Sequence, residues 1–327
     1  MERFLNKKIW NRGCEKMDMV NTQYIEQCII KYEKIKNNTN VATAENNEVL
    51  AKLIKSMSHG FIKTNYDNWL EQCLLQEDWQ KLNNLIFQQM RYRLLPGSSG
   101  GYDHCRNILP VLEAFACGDN NVLERILPHE LGLTKNGYPF YIVISNLLMA
   151  LWYKDDTLLK LAIPAAEKFI GTKKPQWERS GVAFLLSLHK KDVEAVGEHL
   201  QDFCTGYMRA DFTKAMKQLC VPAHGLYSLA EKLIPTELFQ QIKMPEHKNF
   251  SKGFAKWRNE NPHPKLYLYF EYPPSLGILN QIFMAPVAKS IISQPYLQKD
   301  NPHHSPQLKN VWFLDEEAML KGFVENI

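Results

Sequence analysis

One pattern repeated through residues 108–235 constrains this chain more than any other feature. An apolar helical run ends in a short polar turn carrying aspartate, and a second apolar run follows at once. The turns read Ala116-Cys117-Gly118-Asp119, Tyr153-Lys154-Asp155-Asp156 and His189-Lys190-Lys191-Asp192. Asp119 and Asp156 lie 37 residues apart, and Asp156 and Asp192 lie 36 apart. Such a period belongs to stacked helical hairpins, where each unit buries a face on its neighbours. A weaker copy stands at Leu75-Gln76-Glu77-Asp78. A helix start leaves four N–H groups without partners, and a nearby carboxylate accepts one of them. Asp78, Asp119, Asp156 and Asp192 are therefore expected to cap helices. The competing reading of Asp155-Asp156 is a metal-binding pair. No third carboxylate follows at helical spacing, since Leu158 and Leu159 occupy those positions.

The flanks complete an all-α expectation. Ile25, Cys28, Ile29 and Tyr32 share one helical face, as do Leu50, Leu53, Ile54, Met57 and Phe61. Asn37 to Asn40 forms a turn between them, and residues 1–18 form a loose lead-in. Pro96-Gly97-Ser98-Ser99-Gly100-Gly101 breaks the pattern. It lacks the lysine of a phosphate-binding loop and follows no strand, so it reads as a linker. Ile144, Leu147, Leu148 and Leu151 lie in a helix apolar nearly all round, expected to be the most buried. Pro164 is expected to kink the helix that follows. From Pro245 onward nine prolines forbid long helices. Leu266 to Phe270 is a possible short strand in an otherwise irregular segment wrapped on the array. The expected architecture is an array of stacked antiparallel helical hairpins, α-solenoid-like. Its parts are an N-terminal helical region (1–95), a Gly/Ser-rich loop (96–107), the hairpin array (108–242) and a Pro- and aromatic-rich segment (243–327).

Composition narrows the function classes. Residues 108–235 hold 14 Lys and Arg against 14 Asp and Glu, and the whole chain has a net charge of +4. No concentrated basic stripe marks a nucleic-acid binder. The seven cysteines are scattered and never in Cys-x-x-Cys spacing, the pattern of reduced core thiols. Neither an apolar leader in Met1–Tyr24 nor an apolar run of membrane-spanning length is read, giving a cytoplasmic expectation without membrane contact. Nucleophile-elbow, zinc-protease, Rossmann and Walker patterns are absent. His303-His304 has no further ligand at metal spacing. The chain is thus expected to use no cofactor or metal and to have no catalytic residues. His224, before a glycine near a helix start, is either a general base or a structural histidine. Trp177-Glu178-Arg179 is either a partner-binding turn or an aromatic lid on the array. Tyr102, Asp103, Trp152, Tyr153 and Tyr227 join these as candidate partner-binding positions, all aromatic or charged and near turns.

The middle of the chain also resembles the bacterial immunity protein 49 family of polymorphic toxin systems. The resemblance lies in Phe115-Ala116-Cys117-Gly118-Asp119, in Trp177 to Ala183 leading to Lys191-Asp192, and in His224 to Ala230. Phe254-Ala255-Lys256-Trp257 followed by Pro264 and Tyr272-Pro273 belongs with it. It spans roughly residues 108–275, and the second and third turns carry Lys where the family more often has Gly. The resemblance implies an all-helical, non-catalytic cytosolic protein that binds and neutralises a cognate toxin. Two other classes stand beside it. One is a repeat scaffold holding a peptide or protein, although the tetratricopeptide signature is missing. The other is a helical enzyme using Asp155, His224 and Arg179. The sequence names neither the toxin nor the oligomeric state.

Overall fold

The computed structural model describes residues 23–37, 46–58, 66–97, 101–300, 303–309 and 311–327. The lead-in, the turn after Asn37, Phe61 and Cys14 fall outside them. The helices run in order: α1 (23–37), α2 (Asn46–Ser58), α3 (Tyr66–Gln76), α4 (Trp79–Arg93), α5 (Ile108–Cys117), α6 (Asn121–Ile126), α7 (Pro139–Trp152) and α8 (Asp156–Ile170). They continue with α9 (Gln176–Lys190), α10 (Val193–Arg209), α11 (Lys214–Gln218), α12 (Val221–Leu233), α13 (Thr236–Phe239), α14 (Lys252–Glu260), α15 (Gly277–Met284) and α16 (Glu316–Val324). The protein is all-α, with one two-residue antiparallel pairing of β1 (Ile292–Ser293) and β2 (Phe313–Leu314).

Four hairpins, α3–α4, α5–α6, α7–α8 and α9–α10, share one turn chemistry. Before each turn aspartate stands a residue with positive φ: Glu77 (52°), Gly118 (88°), Lys154 (52°) and Lys191 (58°). The aspartate N–H then reaches back five residues, to the carbonyl of Cys73, Ala114, Ala150 or Ser187, at 2.9–3.1 Å. This is the Schellman ending, in which a left-handed residue lets the chain reverse while satisfying a helical carbonyl. The true repeat positions are thus Asp78, Asp119, Asp155 and Asp192. Asp78 accepts from Lys81 N, Asp155 from Thr157 N and Leu158 N, and Asp192 from Ala195 N. Asp156 is not the cap; it is the first helical residue, and its neighbour has the extended backbone a cap requires. Asp119 is not a side-chain cap either. Its carboxylate is drawn to Arg91 Nη2 at 2.6 Å, because an almost buried guanidinium competes for it more strongly than one amide.

All ten residues of α5 are buried, so α5 rather than α7 is the most enclosed helix; Leu151 of α7 remains half-exposed. Helix α12 does not extend the array. It returns to pack along α5, where Gly225 lets the two backbones touch. A Cβ at 225 would stand 1.9 Å from the Leu112 carbonyl oxygen. Helix α8 stays continuous through Pro164. Residues 104–107, placed in the linker by composition, form a 3-10 turn in which His104 and Cys105 are buried.

The Pro-rich segment binds the N-terminal helices as well as the array. Leu266–Phe270 forms no strand; instead the Gln88 amide pairs with both backbone groups of Phe270, at 3.0 and 2.9 Å. The Phe270 ring stacks on Trp69, and the Tyr24 and Tyr272 hydroxyls meet at 2.7 Å. Asn280 holds the backbone of Tyr272 in the same two-point way as Gln88 holds Phe270. Side-chain amides here satisfy the backbone groups that strand pairing would satisfy elsewhere. The six described cysteines are buried and free of disulfides. Among the described residues no helix is long and apolar enough to cross a membrane.

Candidate functional site

Burial divides the nine positions expected to touch a partner. Asp103, Trp177, Glu178, His224 and Tyr227 are buried and belong to the scaffold. Asp103 gathers a loop: its carboxylate accepts from the amides of Cys105, Lys135 and Asn136. Trp177 sits among Phe140, Phe203, Tyr207 and Phe212, and the Tyr138 hydroxyl donates its one proton to the Glu178 carboxylate, nearly equidistant from both oxygens. Burial raises the Glu178 carboxyl above the usual range, with the Tyr138 bond acting against that rise. Arg179 is half-buried and donates to the Lys174 carbonyl, tying the α8–α9 connection to the start of α9. The Trp-Glu-Arg segment is therefore the first turn of a helix, with its Trp inside the core. Sequence supplied the residue types; the inward direction of Trp177 depends on α10 packing over it, and that of Glu178 on Tyr138 beside the start of α7.

His224 stacks on Phe250 at 4.1 Å, and its Nε2 accepts from the Ser251 amide. Burial pulls its pKa down to about 3, so it is a neutral structural imidazole. Tyr227 packs on Phe239, with Asn259 donating to its hydroxyl at 3.5 Å. Asp155, His224 and Arg179 each have separate partners, and the structure does not gather them into a catalytic group. Tyr102 is half-buried, its ring edge-on to Tyr141 and its carbonyl accepting from Leu314 N.

Trp152 and Tyr153 remain at the surface, at the C-terminal end of α7 (both half-exposed). The structure brings them together with residues the sequence did not single out. The Tyr153 hydroxyl donates to the Leu127 carbonyl at 2.9 Å, and its ring lies 4.7 Å from the His129 ring. His129 Nε2 donates to Asp155 Oδ2 at 2.9 Å, while Asp155 Oδ1 caps α8. The histidine bond, with help from the cap amides, holds the Asp155 carboxyl below its ordinary range. Trp152 Nε1 points to Glu124 at 3.4 Å, and Glu130 pairs with Lys289 alongside. His129 lies 26 residues from Asp155, and no local spacing announces the pair.

This is a surface of two anchored aromatic rings, one imidazole and mixed charges. Its rings are held by hydrogen bonds at their polar ends, so little side-chain entropy remains to be lost on binding. It contains no nucleophile beside a base. Among the described residues no group of three His, Cys, Asp or Glu side chains is placed to hold a metal ion. Compared with known proteins, the chain matches no family model, no curated sequence and no solved structure.

Proposed function

We propose that this protein is an immunity protein, which binds a cognate bacterial toxin in the cytosol and neutralises it by covering its active site. The observation that carries this reading is that the separate segments of the resemblance meet in one core. Helix α12, with His224 to Ala230, packs on α5, which ends in Phe115 to Cys117. The His224 ring touches Phe254 of α14, and Arg258 donates to the Ala116 carbonyl at 3.0 Å. Motif residues that build a common core leave the turn faces free to differ between relatives and to choose a partner. The aromatic surface at Trp152 and Tyr153 is the contact face of this proposal, since aromatic anchors dominate protein interfaces.

The test is co-expression with the product of an adjacent toxin reading frame. Rescue of growth together with a stable one-to-one complex is the expected result. Normal growth of a strain that keeps the toxin and loses this protein would refute it.

The fourfold turn motif favours one second reading, a repeat scaffold that holds an extended peptide. Retention of a short linear ligand would select that reading; dependence on a folded partner domain would select the first.

A further inference from the structure

A cavity of about 390 Å³ lies where the start of α3, the last turn of α4, the middle of α5 and the end of α10 meet α11 and α12. Four polar side chains interact there: Tyr66, Arg93, Glu113 and Tyr207. Their placement is unusual for a core. Glu113 is the sole charged residue of a helix whose every position is buried. Arg93 Nη1 engages one of its oxygens, and the other oxygen has no hydrogen-bond donor among the described residues. Tyr207 is 1% exposed, gripped by Phe203 and Phe212, and its hydroxyl, which lines the cavity, has no hydrogen-bond partner among the described residues. A tyrosine held almost wholly inside the core, with its hydroxyl open only toward the cavity, can bond to whatever enters it.

Charge and shape name the ligand class. Arg93 and Glu113 cancel. Asp67, exposed in the first turn of α3 at the cavity's edge, forms no ion pair among the described residues and leaves the lining one charge negative. The open valences of Glu113 and Asp67 are acceptors, and a tyrosine hydroxyl accepts as readily as it donates. The opposite wall, with Met216, Leu219 and Val221, is apolar. We infer that this cavity binds an organic cation carried on an apolar stem, its ammonium or guanidinium donating to Glu113, Tyr207 and Asp67 while the stem lies along the α11–α12 wall. Such a cation comes either from a lysine or arginine side chain of a protein partner or from a free alkylamine. The inference stands apart from the toxin-binding proposal and does not depend on it.

The probes are hexylammonium, hexanol and hexanoate, followed by saturation-transfer NMR on the full chain. The expected order places hexylammonium at least about tenfold tighter than either analogue, the effect of hydrogen bonds to a charged group. Tyr207→Phe and Asp67→Asn each weaken hexylammonium severalfold. The Tm of free Tyr207→Phe protein stays level, because no hydrogen bond to a described residue is lost. Equal or tighter binding of hexanoate, or hexylammonium binding indifferent to both substitutions, overturns the inference. A Gly-flanked pentapeptide with central Lys or Arg, compared with one carrying Ala, separates the two sources. Binding of the basic peptide assigns a protein side chain, exclusion of the peptide with retained hexylammonium assigns a free amine, and binding of neither overturns the site.

Discussion

Replacing Gly225 with Ala tests the α5–α12 contact, because local and tertiary effects predict opposite signs. Gly225 lies inside α12, where Ala is favoured over Gly by about 0.5–1 kcal/mol. Propensity alone therefore predicts a more stable protein. The structure puts the new Cβ 1.9 Å from the Leu112 oxygen and 2.6 Å from its carbonyl carbon. Real Cβ contacts essentially never fall under 3.0 Å, so the backbones must part by about 1 Å. Both partners are main chain, and no flexible side chain can swing away. The separation loosens packing along the most enclosed helix. Overpacking costs about 1–3 kcal/mol where side chains can adjust, and a backbone clash belongs at or above that range. The expected net loss is about 2 kcal/mol or more after the propensity gain. Gly322→Ala is the control: it is helical, a Cβ there meets nothing within 4 Å, and it should gain about 0.5–1 kcal/mol. Urea unfolding monitored by circular dichroism reads both as midpoint shifts at constant m. A Gly225→Ala protein as stable as the parent would refute the close approach of α5 and α12.

Alanine at Asp78, Asp155 or Asp192 should cost about 1 kcal/mol each and at Asp156 almost nothing; equal losses at 155 and 156 in thermal melts would contradict the cap assignment. Asp119→Ala should cost about 3 kcal/mol, since it leaves the nearly buried Arg91 guanidinium its bond to the Ala285 carbonyl but takes away its carboxylate. His224 has a folded pKa near 3 against an ordinary 6.5, so the unfolded chain takes up its proton first. Its stabilising share is complete above about pH 6.5 and is lost as pH falls toward 3, amounting to about 2 kcal/mol by pH 5. An imidazole resonance of His224 that titrates near 6.5 in the folded protein would exclude this. On the proposed contact face, Trp152→Ala and Tyr153→Ala should each weaken toxin binding by about 2 kcal/mol or more while circular dichroism shows each variant still folded. Unchanged affinity in calorimetry would move the interface elsewhere.

The sequence made the helical hairpins legible because each carries a 3.6-residue apolar period and ends in polar turn residues. It placed the turns but blurred the phase of one. Asp155 and Asp156 are equally plausible caps until the backbone shows that Lys154 takes the left-handed position and commits Asp155 to the extended one. Asp119 was misread for a different reason: its partner Arg91 lies 28 residues away on another hairpin. The candidate contact residues separated by a quantity no spacing encodes, which is direction relative to neighbouring helices. Spacing left Trp177-Glu178-Arg179 open between a partner-binding turn and an aromatic lid, and His224 open between a general base and a structural histidine. Packing decides both: α10, the hairpin partner of α9, closes over Trp177, and the Phe250 turn closes over His224.

The two-point grip of Gln88 on Phe270 spans 182 residues. At the 5–20 residues per second of ribosomal synthesis, α4 emerges roughly 10–40 s before the strand of chain that covers it. Throughout that interval Trp69 and the Gln88 amide face solvent or a chaperone, and the first hairpin matures only when the tail arrives. The N-terminal hairpin is thus expected to stay protease-sensitive on a ribosome-bound chain until residues 266–272 have left the exit tunnel.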